Sequence, residues 1–204
     1  MIYFIGDTHF NHKNIIAYTS RQDQMTNLDE MHQIIIERWN SVVTDEDIVY
    51  FLGDFGFGGS RVFHEFLPQL NGQKIIIIGN HDPKKSQAWY LERGFIGAFM
   101  HPIILENWFI LSHEPIGYLT ERMPYVNIHG HTHDECYTNP QRINVSWEVL
   151  NGYPVSFEDI KARFAQLDGL NQNVRDANKD RHKNGRMNYA EGYLAGKIDG
   201  RKEK

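Results

Sequence analysis

Cysteine is almost absent from this 204-residue chain: Cys136 is the single one, so no internal disulfide can brace the fold and a core must come from apolar burial. Long hydrophobic runs are missing too. Nothing approaches the roughly 18 apolar residues that a membrane-spanning helix needs, and Met1 leads into the short run "IYFIG" with no basic segment before it. These absences predict a cytoplasmic protein with no signal peptide and no membrane span. Positive charge is scarce over most of the length. Of 21 Lys/Arg and 26 Asp/Glu, nine and six fall in residues 168–204, which leaves twelve against twenty in residues 1–167. A body that acidic grips a nucleic-acid backbone poorly, since phosphates are held mainly by clustered Lys and Arg. Any phosphate bound there is better met by metal.

What is present is enough apolar material for one core: 41% hydrophobic and 13% aromatic residues. One domain is expected over residues 1–167, followed by a polar tail over 168–204 with a marginal helix around 188–198. Six short runs read as strands: "IYFIG" (2–6), "DIVYFLG" (47–53), "KIIIIG" (74–79), "WFILS" (108–112), "YVNIHG" (125–130) and "RINVSW" (142–147). They are nearly continuous in apolar residues, the pattern of strands buried on both faces.

Helical patterns lie between them. Residues 27–42 place Leu28, Met31, Ile35, Trp39 and Val42 on one face, with Asn27 as cap. Residues 60–72 form a shorter helix, opened by Ser60, that Pro68 shortens. Residues 82–94 carry Pro83 at a first-turn position, and 156–169 open with Ser156 and Asp159 in capping-box spacing. Alternating strands and helices predict an α/β layered fold. Trp39, Trp89, Trp108 and Trp147 fall within apolar patterns and read as core.

Five of the runs end in polar residues that metals favour: Asp7 and His9 in "GDTH", Asp54 in "GD", Asn80 and His81 in "GNHD", His113 in "SHEP", and His131 and His133 in "GHTH". Ligands in open α/β sheets gather beyond the carboxyl ends of strands, so these loops can share one crevice. One such motif carries little; five at strand ends carry much. Oxygen and imidazole donors without thiolate suit Mn first, and also Fe, Ni, Co or Zn. Even seven ligands from these eight residues exceed what one tetrahedral ion uses and suit two ions sharing a carboxylate.

The order D-x-H, GD, GNHD, H, GHxH resembles the calcineurin-like metallophosphoesterase superfamily over about residues 2–133, with a compatible continuation to about 165. "YFIGDTHFNHKNII", "NWFILSHEP" and "NVSWEVLNGYPVSFEDI" are similar to small, uncapped bacterial and phage members. The resemblance implies a four-layer sandwich of two mixed β-sheets flanked by helices. It implies that Asp7, His9 and His133 hold one divalent ion, that Asn80, His113 and His131 hold a second, and that Asp54 bridges them. Catalysis would then rest on Asp54 and His81. Two such ions neutralise a phosphate ester and activate a shared water for in-line attack, while His81 faces the substrate and protonates the leaving oxygen. Asp82 would either orient His81 or cap a helix before Pro83.

The remaining polar residues divide less sharply. His12, with Asn80 and His81, is a candidate substrate contact, and Lys13 and Asn14 lie close to it in sequence. Arg21, Arg61, Lys84, Lys85 and Arg122 are possible phosphate clamps, and Tyr118 could stack on a ring. His32, His64, His101 and His182 are expected to bind no metal. His129, the first histidine of "HGHTH", is expected inside its strand, because Gly130 marks where strand becomes loop.

The sequence departs from two better-known branches. "GDFGFGGS" lacks both the acidic-Arg-Gly extension of the protein serine/threonine phosphatases and the tyrosine ligand of the purple acid phosphatases. A small phosphate ester, nucleotide-like and a diester slightly before a monoester, is therefore the expected substrate. A DNA or RNA nuclease is the alternative. A non-catalytic metal-binding scaffold is the contrasting class, disfavoured because His81 and all seven ligands are present.

Overall fold

The computed structural model describes residues 1–165, except 118, 120–124, 137, 138 and 140. The expectations for Tyr118, Arg122, His182 and the helix around 188–198 lie outside the described residues. The chain separates into two compact units, Met1–Lys161 and Ala162–Lys204. All that follows concerns the first.

Its core is a pair of mixed sheets with flanking helices. Strands β1 (Ile2–Ile5), β2 (Ile48–Phe51), β3 (Gln73–Ile77) and β4 (Gly97–Phe99) run parallel, and β9 (Val155–Ser156) joins β1 antiparallel, in the order β4-β3-β2-β1-β9. The second sheet has the order β5-β6-β7-β8: β5 (Ile103–Leu105) is antiparallel to β6 (Phe109–Ser112), while β6, β7 (Val126–His129) and β8 (Arg142–Asn144) are parallel. This is the α/β arrangement that the sequence predicts. All six predicted strands are present. The very short β4, β5 and β9 were not anticipated.

The helices follow local chemistry. α1 (Ile15–Tyr18) is one turn, followed by a 3-10 turn at Ser20–Asp23. α2 (Leu28–Val42) begins where Asn27 accepts a hydrogen bond from the Glu30 amide at 3.0 Å, and it buries Met31, Ile35 and Trp39. α3 (Ser60–Phe66) gives way to a 3-10 turn at Leu67–Gln69, where Pro68 ends the α-helical ladder as expected. Ser60 is its first residue but no side chain caps it; the Ser60 hydroxyl instead accepts from Arg93 at 2.9 Å.

α4 (Gln87–Leu91) departs from expectation. It starts only after Ser86, whose side chain accepts from Trp89 N, so Pro83 lies in the loop before the helix and not in its first turn. At the far end, Ser156 accepts from the Asp159 amide at 3.1 Å and a helix opens at Phe157, as the capping pattern predicts.

Trp39 and Trp147 are wholly buried and Trp89 packs against the core, but Trp108 is 51% exposed. The expectation that all four tryptophans are core therefore fails at Trp108, which occupies the turn between β5 and β6. Backbone bonds from Gly6 N to Val145 O (2.9 Å) and from Trp147 N to Gly6 O (3.1 Å) stitch the two sheets together next to the site.

Candidate metal centre

The parallel strands β1, β2 and β3 of one sheet and β6 and β7 of the other all end toward one place, and their loops supply every residue named above as a candidate ligand. Short backbone bonds join these loops: Asp7 N to Gly53 O, His9 N to Asp54 O, and Gly130 N to His113 O, at 2.9, 3.0 and 3.0 Å. The turns are sharp. Nine described residues other than glycine have positive φ, and five of them are Asp7 (59°), His9 (50°), Asp54 (59°), His131 (70°) and His133 (44°). Each such backbone costs on the order of 1–3 kcal/mol and persists only where surrounding structure imposes it. The strain is thus concentrated on one constellation.

Two groups of donors emerge. Asp7, His9 and His133 bring ligand-type atoms within 4.8 Å of one another, and so do Asp54, His113 and His131. Asn80 belongs with the second group: its Oδ1 is 2.8 Å from His113 Nε2 and 3.0 Å from His131 Nδ1. The Asp54 carboxylate stands between the groups, with Oδ2 at 3.6 Å from His9 Nε2 and 3.4 Å from His113 Nε2. His129 is fully buried in β7 and belongs to neither group.

Burial and close pairing shift the titration of the donors strongly. Burial raises the Asp7 carboxyl to about 7 and lowers His9 to about 3. Burial would also raise Asp54 and lower His113. Their mutual hydrogen bond and opposite charges prevail, leaving Asp54 at about 2 and His113 at about 9. Asp7 Oδ1 and both ring nitrogens of His9 are buried with no hydrogen-bond partner. Buried polar atoms are ordinarily satisfied, so orphaned atoms of this kind on the Asp7–His9 loop, grouped with His133, fit a divalent ion. The glycines agree: a Cβ at Gly79 would overlap Asp54 Oδ1, and one at Gly130 would overlap Asp7 Oδ2.

His81 stands apart from both groups. Its ring is exposed and lines a cleft of about 610 Å³ together with His9, His12, Thr19, His133 and Asp134. Its amide donates to Asp54 Oδ1 at 2.8 Å. His12 lies over Phe57, ring centroids 4.2 Å apart, and 6.3 Å from His81. Asp82 neither pairs with the His81 ring nor caps a helix. Its carboxylate accepts from the amides of Asp54 (2.7 Å), Phe55 (2.9 Å) and Gly79 (2.9 Å), and so clamps the β2 and β3 loops together.

The possible phosphate clamps are placed differently from one another. Arg21 is entirely buried in an ion pair with Glu148, Arg61 faces Glu65 on the surface of α3, and Lys13 and Lys85 are exposed with no site contact. Lys84 donates to the Gly79 carbonyl and lines a second cavity of about 390 Å³ with Asn80, His101 and His113. The nearness of His101 to the site was not legible from its distance along the chain. His32 accepts from the Asn11 amide at 3.1 Å and is structural, while His64 is exposed on α3. Glu148, which sequence reasoning passed over, touches His133 at 3.1 Å. Its only signal was an acid inside an otherwise apolar run.

The sequence profile of the calcineurin-like phosphoesterases matches residues 1–190. The chain belongs to the calcineurin-like phosphoesterase family. Among relatives, an uncharacterized protein of Methanocaldococcus jannaschii, MJ1445, is 41% identical over 167 residues, covering 77% of this chain and 87% of its own. The Gene 66 protein of Mycobacterium phage D29 is 27% identical over 180 residues, covering 72% and 88%. The crystal structure of AQ665 from Aquifex aeolicus, titled a protein of unknown function, superposes with a TM-score of 0.58 at 27% identity, covering 79% of this chain and 98% of that one. Family and donor groups together make this calcineurin-like protein a metal-dependent phosphoesterase. Among the described residues, no helix is long and apolar enough to cross a membrane.

Proposed function

We propose that this calcineurin-like phosphoesterase hydrolyses a small, nucleotide-like phosphate ester, a diester before a monoester, at a centre of two divalent ions. The observation that carries the reading is the placement of Asp54 between two complete donor groups, 3.6 Å from His9 and 3.4 Å from His113. Asp7, His9 and His133 would hold one ion, Asn80, His113 and His131 the other, and Asp54 would contribute to both. Manganese is the preferred metal for this mixture of oxygen and imidazole donors, with Fe, Ni, Co or Zn as substitutes. When bound, such a pair neutralises phosphoryl charge and makes water a nucleophile at neutral pH.

The chain's own groups do the rest. The exposed His81 ring, whose backbone amide donates a hydrogen bond to Asp54, would give a proton to the leaving oxygen. His12, stacked on Phe57, would face the substrate together with Asn80 and His81. Asp134 and Glu135 line the cleft, and no Lys or Arg occurs among the described residues lining it. That lining favours a compact ester over a polyanionic strand.

With added Mn²⁺ the purified protein should turn over bis(p-nitrophenyl) phosphate. His81→Ala should lower kcat by roughly 10²- to 10⁴-fold while metal content is retained. Absence of turnover with every divalent ion would sink the proposal, and a panel of nucleotides, cyclic nucleotides and nucleic acids would name the substrate.

A further inference from the structure

A fully buried arginine is an expensive element in a small domain. Arg21 is 0% exposed, and its partner Glu148 is 8% exposed. Replacing a buried ion pair by apolar side chains is often neutral or stabilising, so stability alone does not account for this one. What the pair touches is more informative. Arg21 Nε donates to Glu148 Oε1 at 2.7 Å, NH1 donates to the Thr8 carbonyl at 2.8 Å, and NH2 donates to the Asp7 carbonyl. Glu148 Oε2 faces His133 Nδ1 at 3.1 Å. A carboxylate can only accept, so His133 carries a proton on Nδ1, which leaves Nε2 as the nitrogen available to the group it forms with Asp7 and His9.

The guanidinium plane lies 4.6 Å from the Trp147 ring, which is itself wholly buried. The 3-10 turn that carries Arg21 is fixed in two further ways. Thr19 Oγ1 accepts from the Arg21 amide and donates to Ile15 O at 2.8 Å. Ser20 donates to Asp134, the neighbour of His133, from both its amide and its hydroxyl. One turn thus holds the D-x-H loop directly and reaches His133 through Glu148 and the adjoining Asp134. The second donor group is held by other means: His113 Nδ1 bonds to the Leu52 carbonyl at 2.8 Å, and Asp82 clamps the loop that bears Asp54.

We propose that the buried Arg21–Glu148 pair is the positioning device of the Asp7–His9–His133 site and of that site alone. It sets the backbone of the first two residues through their loop carbonyls and the ring orientation of the third. The pair touches no substrate; Arg21 and Glu148 are positioning residues. This rests on the two-ion reading above.

The test is Mn²⁺ binding by metal-stripped protein, followed by the paramagnetic signal of free Mn²⁺, with the thermal unfolding of each metal-free variant measured alongside. Wild type should bind two ions. Glu148→Gln, which keeps the volume of the side chain but not its charge, should weaken one of them by roughly 10- to 100-fold and leave the other unchanged. The weakened step should be the one that His133→Ala abolishes. Arg21→Lys keeps the buried charge but cannot span three acceptors, and should weaken the same step by less because Glu148 still faces His133. Should Glu148→Gln fail to fold, Arg21→Lys carries the comparison by itself.

Equal weakening of both ions in step with the unfolding temperature would make the pair merely structural and overturn the proposal. Unchanged binding in the variants would overturn it too, while leaving the two-ion reading intact. Fewer than two ions on wild type would remove that reading and this one with it.

Discussion

At Gly79 and Gly130 the backbone passes so close to the Asp54 and Asp7 carboxylates that a Cβ would overlap their oxygens. Gly130→Ala should therefore displace Asp7, which also accepts from the His131 amide at 2.9 Å, and weaken Mn²⁺ binding by roughly 10- to 100-fold. Titration of the metal-free variant with Mn²⁺ checks this; unchanged affinity would show that the Asp7 loop yields. Asp82 invites a stability test. Its oxygens serve three buried amides, and in Asp82→Asn one oxygen becomes an NH2 facing a donor. The substitution should cost about 1–3 kcal/mol in urea unfolding. The seven candidate donors were legible as residues because each follows an apolar strand, with a turn glycine close by for all but His113. Arg21 was not, because a sequence cannot tell a buried arginine from an exposed one. Glu148, twelve or more residues from every other site residue, has the partner His133 only in space.

Among the elements, α2 depends on its cap. Asn27 accepts from Glu30 N while Glu30 Oε2 accepts from the amide and hydroxyl of Thr26, so Asn27→Ala should lower stability by about 1 kcal/mol. Equilibrium denaturation reads this directly, and an unchanged midpoint would mean that tertiary packing of Met31, Ile35 and Trp39 suffices to start the helix. This helix was predicted closely because its period and its cap agree. Strands β4, β5 and β9, of three, three and two residues, were not, since so short a run carries no period and exists through its partner: Gly97, Ala98 and Phe99 are strand because Ile75, Ile76 and Ile77 pair with them. The start of α4 was misplaced for a related reason. Pro83 satisfies a first-turn pattern, but Asp82 is committed to the β2 and β3 loops and holds the following residues away from the helix.

Across the whole molecule, acid should uncouple the site from the fold. Burial by itself would raise the Glu148 carboxyl, but the Arg21 guanidinium and the His133 ring hold it at about 2, below its ordinary 4.5. A carboxyl depressed in the folded state contributes stability that is fully present above about 4.5 and is lost as pH falls through about 2. Glu148→Gln resembles the protonated form at every pH, so its stability gap from wild type should be largest above pH 5 and should narrow steadily toward pH 2. Urea unfolding of the two metal-free proteins across that range tests this, and a constant gap would contradict it.

The sequence alone determined the α/β class, the long elements and which residues are candidate donors, because apolar period, capping chemistry and polar residues at strand ends are all local patterns. Tertiary structure decided how those donors divide. His131 and His133 leave one short loop toward different groups because their backbones turn left-handed after β7, and Asp54 stands between the groups because β2 lies between β1 and β3. The Arg21–Glu148 pair was decided there as well: it joins residues 127 positions apart, and only burial makes that ion pair matter.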